Sequence, residues 1–498
     1  MRVGVVLGAI ATGLSACSVA APVPDAPGAA PVAIPATAVP SAAVPTTAPG
    51  PPPLPVIDRR EEGQPWGEAV AGLLTFRGNP TRTYYGAGPV PTGPAVQWRF
   101  PDRAMCAQST DPGGERQWCG TGWTGQPAVF ERDGRTWLVF GAYDRAVHFL
   151  DAVTGERLLP DLATGDLVKG SVTVDPDGHP LVYSGSRDGR FRVIAVDGDR
   201  ARVLWELAAN AVRPTLWNND WDGAALIIDD HLVVGGENSQ LHVVRLNRGV
   251  GDDGLVTVAP ELVWHTPGWD AQLLADLGDK NVSIESSVAW RDGTVWFANS
   301  GGLVQGWRLG SPVLSEYPRQ VFRFWMGDDT DATVVLGDEG ELYVAAEWDR
   351  GTRRAAEVGQ LVRLDPTRPD DPVVWAVRDQ DRDALAGFWA TPALHRDLVI
   401  APTTSGRLLG VDRATGEIRW EKHLPGPVWQ SPVVVDDVLL QGDCHGWLHA
   451  YDVRDTAHEP AELWSLRIGG CIESTPAVWG GLIHVGARDG FFVTIGDR

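Results

Sequence analysis

Tryptophans and carboxylates are the side chains of this sequence best suited to bind a ligand. Aromatic faces stack on apolar ligand surfaces and acidic groups orient polar ligands, so a sugar, a peptide or a cation is expected. The candidate ligand-binding residues are Trp123, Trp217, Asp220, Trp221, Asp222, Trp269, Asp329, Asp331, Trp389 and Trp429. The alternative is that these tryptophans pack inside the fold and that the carboxylates only keep the surface soluble.

Two pairs of aspartates offer oxygen ligands to a metal ion. Asp220 lies two residues before Asp222, and Asp329 lies two residues before Asp331. Carboxylate oxygens are the ligands that Ca²⁺ and Mg²⁺ take in proteins. A solvated acidic loop is the competing interpretation, and the sequence leaves the presence of a metal open.

The templates of nucleophilic and phosphate chemistry are missing from the sequence. It has no G-x-S-x-G elbow, no glycine-rich loop ending in Lys and Ser or Thr, and no C-x-x-C pair. A binding protein is therefore favoured over an enzyme of these classes.

The overall charge excludes two kinds of partner for the folded part of the chain. The 498 residues include 42 Lys and Arg against 64 Asp and Glu, which gives a formal net charge of −22. Nucleic acids and anionic lipid headgroups both need a positive surface. Neither is expected to dock on this protein.

The first 17 residues are typical of an export signal. A positive start is followed by an apolar run over residues 3–14, which is shorter than the roughly 20 residues that a membrane-spanning helix needs. Leu14-Ser15-Ala16-Cys17 resembles the bacterial lipobox, in which the cysteine is lipidated. We therefore expect residues 1–17 to be a lipoprotein signal and Cys17 to anchor the protein in the cell envelope, on the extracytoplasmic side of a membrane. Ordinary signal cleavage is the alternative.

Residues 18–56 have a different composition from the rest of the chain. They contain 12 Pro and 11 Ala, and Asp25 is their only charged residue. Such a segment buries too little apolar surface to offset its ordering entropy, and its prolines favour extended backbone. We predict a disordered, semi-rigid linker that holds a folded domain, residues 57–498, away from the membrane.

A hairpin of two apolar strands recurs eight times after the linker. The eight hairpins cover residues 138–151, 181–197, 232–246, 295–309, 342–365, 398–412, 439–452 and 483–496. A short strand precedes each hairpin, a strand marked by tryptophan follows most of them, and no helical period is sustained in between. Four antiparallel strands repeated about every 45 to 60 residues are typical of β-propeller blades. We predict an all-β fold, an eight-bladed β-propeller of four-stranded antiparallel blades, with seven blades as the competing count.

The two ends of the domain fit together in this prediction. The last unit, residues 475–496, supplies only three strands, while residues 95–100 form an isolated strand ahead of the first unit. Pairing these two segments would remove both exposed sheet edges. The N-terminal strand is therefore expected to complete the C-terminal blade and close the ring.

Two segments carry a resemblance to a known family. Asp151-Ala152-Val153-Thr154-Gly155 and residues 412–420 resemble the tryptophan-docking repeat of pyrroloquinoline quinone dehydrogenases and of the wider quinoprotein-like propellers. That group includes the propeller lipoprotein of the outer-membrane β-barrel assembly machinery. The resemblance implies the architecture of roughly residues 66–498 and says little about activity.

The resemblance also implies an alternative function, the oxidation of an alcohol or sugar with pyrroloquinoline quinone and calcium as cofactors. The alcohol dehydrogenases of this family place two adjacent cysteines against the quinone, whereas no two cysteines are adjacent in this chain. We therefore predict no cofactor and carry over no catalytic residue.

Four cysteines remain after Cys17, and export permits disulfides between them. In the predicted propeller, Cys444 lies in a hairpin turn and Cys471 in the loop before the last blade, on the same face of the ring. Cys106 and Cys119 share one loop. We predict the pairs Cys106 with Cys119 and Cys444 with Cys471, with free thiols or crossed pairs as alternatives.

Taken together, the expected anchor, the linker and the missing templates favour a non-catalytic protein outside the cytoplasmic membrane. Its predicted role is binding or scaffolding, with an envelope protein or glycan as partner, and a monomeric propeller is expected. The alternative is a quinone-dependent dehydrogenase.

Overall fold

The computed structural model describes residues 61–111, 114–123, 125–380 and 385–498. The predicted signal, the lipidation at Cys17 and the linker over residues 18–56 lie outside the described residues.

Eight sheets form the eight blades of a β-propeller, as predicted. Each blade has four antiparallel strands, which follow one another in the sequence in blades 1 to 7. The strands of blades 1 to 4 are Ala128–Arg132, Arg135–Ala142, Ala146–Asp151 and Arg157–Ala163; Thr173–Val174, Leu181–Ser186, Arg190–Ala195 and Arg202–Ala208; Leu226–Ile228, His231–Gly235, Gln240–Arg245 and Glu261–Pro267; and Ala289–Arg291, Thr294–Phe297, Leu303–Arg308 and Arg319–Trp325.

The strands of blades 5 to 8 are Val335–Leu336, Leu342–Ala345, Leu361–Leu364 and Val373–Val377; Ala393–His395, Leu398–Pro402, Arg407–Asp412 and Ile418–His423; Val433–Val435, Val438–Gly442, Trp447–Asp452 and Ala461–Arg467; and Ala477–Trp479, Leu482–Gly486, Phe492–Asp497 and Pro94–Phe100. Middle strands such as Leu181–Ser186 are buried along their whole length, whereas Ala461–Arg467, a fourth strand, is mostly exposed. The middle strands are rich in apolar residues because neighbouring blades cover both of their faces.

The ring closes as the sequence predicts. Pro94–Phe100 pairs antiparallel with Phe492–Asp497, and Trp98 lies opposite Thr494. The N-terminal strand is therefore the fourth strand of blade 8, and both sheet edges are paired.

Tryptophans of the fourth strands dock on the next blade. The indole Nε1 of Trp375 in blade 5 donates to the carbonyl oxygen of Arg413 in blade 6 at 3.0 Å. A Cβ on Gly416 would lie 2.6 Å from Trp375 Cγ, so only glycine leaves room for the ring. The Thr-Gly turn quoted from the sequence is thus the surface that receives the tryptophan of the preceding blade.

An axial segment, residues 72–87, runs through the centre of the ring and was not predicted from the sequence. Gly72–Leu73 adds a strand to blade 1, and Gly86–Ala87 adds a parallel strand to blade 8. Between these ends, backbone hydrogen bonds and side chains reach the first strands of the other six blades or the residues just ahead of them. The segment therefore fills the channel that the eight blades enclose.

Two arginines bind the axial segment to the blades. The guanidinium of Arg77 donates to the carbonyl oxygens of Pro392 at 2.8 Å and Pro432 at 3.0 Å. The guanidinium of Arg82 donates to the carbonyl oxygen of Val288 at 2.8 Å. Both arginines are fully buried. Because each carbonyl belongs to a different blade, the two side chains connect blades 4, 6 and 7.

The remaining elements lie in the connections between blades. Two short helices, Ala271–Leu277 and Arg353–Val358, occur in the described part of this all-β fold, and each begins at a capping side chain, Asp270 or Thr352. A helix of one or two turns is too short to leave a helical period in the sequence. Two small hairpins pair Cys106–Asp111 with Gly114–Cys119 and Gly249–Val250 with Val256–Thr257. No helix in the described part of the chain is long and apolar enough to cross a membrane.

Both predicted disulfides are present. Cys106 is bonded to Cys119 across the first small hairpin, and Cys444 in the turn of blade 7 is bonded to Cys471 ahead of blade 8. The second bond joins two neighbouring blades on the face where each first strand begins.

Candidate functional site

A ring of hydrogen bonds joins the blades where their first strands begin. A backbone N–H of one blade donates to a side-chain hydroxyl of the next, at 2.8 to 3.0 Å. The accepting hydroxyls, called here the ring hydroxyls, belong to Ser171, Ser287, Thr333, Thr391 and Ser431. These five bonds link blade 1 to blade 2 and connect blades 3 to 7 in series, all at the start of the first strands.

The residues two positions before this level define what is called here the mouth of the channel. In blades 2 to 8 they are Lys169, Asp222, Glu285, Asp331, Trp389, Trp429 and Glu473, and of these Asp222, Glu285, Asp331 and Trp389 line one cavity. Blade 1 contributes Trp123, whose ring centroid lies 5.3 Å from that of Trp389 in a perpendicular arrangement. Trp123 also donates from its indole Nε1 to Glu285 Oε2 at 3.2 Å.

Four residues predicted from the sequence therefore meet at one cavity. Trp123, Asp222, Asp331 and Trp389 line it together with Glu285. The ring hydroxyls Ser171, Ser287 and Thr333 form its inner wall, and Phe76 of the axial segment closes its base.

A first cup of three carboxylates, Asp220, Asp222 and Glu237, is filled by a lysine of this chain. Lys169 Nζ lies 3.0 Å from Asp220 Oδ2, 2.7 Å from Asp222 Oδ2 and 3.1 Å from Glu237 Oε1. The same ammonium lies 4.3 Å from the centre of the Trp123 ring. All four charged residues are buried. Burial alone would lower the pKa of Lys169, but the three carboxylates raise it well above its usual value.

A second cup of three carboxylates, Asp329, Asp331 and Glu347, lies two blades further on. One oxygen from each residue falls within 4.8 Å of the others. The nearest described cation is Arg350, whose Nη1 lies 3.5 Å from Asp329 Oδ2. Ser300 donates its hydroxyl to Asp331 Oδ1 at 3.0 Å.

The carboxylates of the mouth are buried close to one another, which destabilises their charged forms. Burial raises the pKa of Asp220 to about 6, and burial together with the charge of Asp331 raises that of Glu285 to about 7. Burial, followed by the charge of a neighbouring carboxylate, also raises the pKa of Asp329, Asp331 and Glu347 well above the usual range. A cation placed among these groups would lower that cost.

The other predicted tryptophans lie apart from the cavity. Trp221 is buried and packs on Phe191 and His242, as the packing interpretation describes. Trp269 is half-buried beside the helix that begins at Ala271, and Trp429 is half-buried at the mouth. Trp217 is half exposed on the loop before Asp220, with φ at 62°.

Positive φ values mark two of the tryptophans on this face. Trp123 has φ at 55° and Trp217 at 62°, in the left-handed region that bulky residues rarely adopt. Backbone strain of this kind is retained where the surrounding structure enforces it, often in binding regions. The loops of the mouth therefore hold these rings in place against their intrinsic preference.

Sequence reasoning missed four charged residues of the two cups and the adjoining cavity, namely Lys169, Glu237, Glu285 and Glu347. Two signals in the sequence locate them. Lys169 and Glu285 stand two residues before a ring hydroxyl, and each Asp-x-Asp pair is followed after 15 or 16 residues by the glutamate that completes its cup.

Comparisons with known proteins agree with this architecture. Residues 293–496 match the family described as outer membrane protein assembly factor BamB. The BamB structure from Moraxella catarrhalis superposes with a TM-score of 0.51 over 81% of this chain and 98% of that chain, at 15% identity. The chain therefore has the eight-bladed β-propeller fold, and the family match covers residues 293–496 of it.

A quinohemoprotein alcohol dehydrogenase from Comamonas testosteroni also has a structure similar to this propeller. It superposes with a TM-score of 0.53 over 86% of this chain and 81% of that chain, at 13% identity. A comparison with curated protein sequences finds no match. At these identities the two structural likenesses show the fold alone.

The mouth of this propeller does not fit pyrroloquinoline quinone, the cofactor that the resemblance implies. That quinone carries three carboxylates, whereas the mouth presents both carboxylate cups and Glu285. Its one lysine already contacts three carboxylates. The axial segment fills the channel beneath, so the described residues of the mouth do not form a binding site for an anionic cofactor.

Proposed function

We propose that this quinoprotein-like propeller is a lipid-anchored protein of the bacterial envelope that binds a protein partner through its mouth and catalyses no reaction on it. The axial segment carries this proposal. Arg77 and Arg82 are hydrogen-bonded to backbone carbonyls of the blades, so the channel is occupied by the chain itself. A ligand therefore cannot enter the channel, and the part of it that a partner can reach on this face is the mouth with its surrounding loops.

The charge of the mouth supports a protein partner over a neutral glycan. The second cup has three carboxylates and one neighbouring arginine. Basic side chains of a protein compensate such a charge, whereas the hydroxyls of a sugar do not. The family matched over residues 293–496 is described as an assembly factor, which also agrees with a protein partner.

The lipid anchor is supported by the sequence alone. The apolar run over residues 3–14, the Leu14-Ser15-Ala16-Cys17 segment and the linker over residues 18–56 are those of a lipoprotein with a spacer. Metabolic labelling with a palmitate analogue should mark the wild-type protein and leave Cys17→Ser unlabelled. Labelling of Cys17→Ser would contradict the anchor.

Site-specific photo-crosslinking in living cells tests the partner. A photoreactive residue at Asn219, exposed on the loop before Asp220, should give one discrete protein adduct. The same residue at Glu417, exposed in a turn at the opposite end of blade 6, should give none. Equal adducts from both positions, no adduct, or a heterogeneous carbohydrate adduct from Asn219 would overturn the proposal.

Quinone-dependent oxidation of an alcohol or sugar is tested separately. The purified full chain, mixed with pyrroloquinoline quinone and calcium, should reduce no dye and show no rise in melting temperature. Dye reduction with an alcohol or sugar would overturn the non-catalytic assignment.

A further inference from the structure

The two carboxylate cups are built from the same sequence pattern. Asp220 and Asp222 lie in the loop before blade 3, and Glu237 lies in the turn between the second and third strands of that blade. Asp329, Asp331 and Glu347 occupy the corresponding places in blade 5. The occupant of the first cup therefore indicates which kind of group the second cup can bind.

The first cup shows which cation suits this geometry. Its occupant is a primary ammonium, Lys169 Nζ, which lies within 3.1 Å of an oxygen from each of the three carboxylates and over the face of Trp123. Lys169 comes from the preceding blade, two residues before the ring hydroxyl of Ser171.

The second cup lacks this internal ammonium. The position that corresponds to Lys169 in its preceding blade, two residues before the ring hydroxyl of Ser287, is Glu285. A fourth carboxylate thus stands where the first cup has its cation. Arg350 approaches the second cup from one side, at 3.5 Å from Asp329 Oδ2.

A buried oxygen of the second cup lacks a partner. Asp329 is 9% exposed, and its Oδ1 accepts no hydrogen bond from the described residues. A carboxylate oxygen removed from water without a donor is costly to the folded protein. Asp329 therefore points to a cation that comes from outside the chain.

The walls of the adjoining cavity select the kind of cation. Trp123 and Trp389 line it beside Glu285 and Asp331, and it has room for about 10 Å³, close to one water-sized group. An ammonium group has this size and is attracted to an indole face. A planar guanidinium is larger than this space. Ca²⁺ takes six to eight oxygen ligands, and it is the competing occupant in the test below.

We propose that the second cup receives the side-chain ammonium of a lysine from the partner protein, in the way that Lys169 fills the first cup. This inference rests on the proposed function, because it names the group that the partner presents to the mouth.

The test uses the purified full chain and a short peptide in which a single lysine is the only charged side chain. The indole N–H signals of Trp123 and Trp389, assigned by substitution, are followed by nuclear magnetic resonance during the titration. We expect both signals to shift with the lysine peptide and neither to shift with its ε-acetyl-lysine counterpart. Equal shifts with both peptides, or calcium chloride displacing the lysine peptide at a lower concentration, would overturn the inference.

Variants of the second cup separate binding from folding. Asp331→Asn should weaken peptide binding at least tenfold and leave the melting temperature unchanged or raised, because it removes like-charge repulsion. Asp338→Asn, in the turn after the first strand of blade 5, serves as the matched control and should bind like the wild type. A lower melting temperature for Asp331→Asn would indicate a structural role and contradict a site kept for an external cation.

A second variant reproduces the first cup in the second. Glu285→Lys places an internal ammonium where Lys169 stands in the preceding cup, so it should raise the melting temperature and abolish the response to the peptide. Retained peptide binding would contradict the inference. If Asp331→Asn and Glu285→Lys give the Asn219 crosslink at wild-type yield, the lysine assignment fails and the proposed partner binding stands. If the wild-type protein itself gives no crosslink from Asn219, the proposed function fails.

Discussion

The indole ring of Trp98 packs directly on Gly155, and this contact joins the N-terminal strand to blade 1. A Cβ on Gly155 would lie 2.7 Å from Trp98 Cδ2. Trp98 also donates from Nε1 to the carbonyl oxygen of Ala152 at 3.2 Å. The docking seen between Trp375 and Gly416 inside the ring is therefore repeated at the closure, where the two ends of the domain meet.

Replacing Gly155 should weaken the closure more than a glycine substitution in an open turn. Gly155→Ala adds a methyl group against the Trp98 ring, at a residue with φ at 74°. Gly134→Ala has a nearly equal φ of 72° and meets no atom within 4 Å. Both lose about 1 kcal/mol to the left-handed backbone, and overpacking should cost Gly155→Ala about 2 kcal/mol more. Urea unfolding measures the difference, and equal losses would contradict the docking role.

The axial segment should contribute strongly to the stability of the ring. Arg82→Leu leaves the buried carbonyl oxygens of Phe76 and Val288 without their guanidinium donor. Unsatisfied buried acceptors of this kind should lower the free energy of unfolding by about 4 kcal/mol. Arg353→Leu, at a side chain that is 93% exposed, is the control and should change stability little. If Arg82→Leu lowers the free energy of unfolding no more than Arg353→Leu does, the axial segment does not stabilise the ring.

The sequence predicts the blades well and the axial segment poorly, for a physical reason. Each blade is a local unit whose apolar strands and Thr-Gly turns recur, so its pattern is visible in a single chain. Arg77 instead contacts Pro392 and Pro432, which lie more than 300 residues away. A segment held by single contacts to many distant strands leaves no period to detect.

The candidate site was likewise predictable from the sequence only in part. Trp123, Trp389, Asp222 and Asp331 were predictable as ligand-type residues because they stand beside the first strands. The pairing of Lys169 with the first cup was not, since it depends on which neighbouring blade supplies the cation. Trp221 has the same local context as its neighbours, yet its buried position follows from packing on Phe191.

The carboxylates of the mouth should make stability fall as the pH rises. Glu285 has its pKa raised from an ordinary value near 4.5 to about 7, first by burial and then by Asp331. The folded state therefore retains a proton that the unfolded chain releases between pH 4.5 and 7. Its stabilising effect is present below this window and lost above it.

Glu285→Gln removes this titration, so the free energy of unfolding should vary less between pH 5 and pH 8, and at pH 8 it should exceed that of the wild type by about 2 kcal/mol. His148 acts in the same direction, because Asp144 and Asp161 raise its pKa despite its burial. That contribution is common to both proteins and cancels in the comparison. Parallel pH profiles for wild type and variant would contradict the raised pKa of Glu285.

The exposed tryptophan of the mouth face should serve binding at the expense of stability. Trp217 holds φ at 62° although its side chain is half exposed and lies outside the cavity. Asparagine tolerates this backbone region better than tryptophan does, so Trp217→Asn should keep or raise the melting temperature. Since an exposed indole is a frequent anchor of protein interfaces, the crosslink yield from Asn219 should fall at least fivefold. A variant that melts at lower temperature and crosslinks normally would mean that Trp217 serves the fold, and the strained loop would then need a structural explanation.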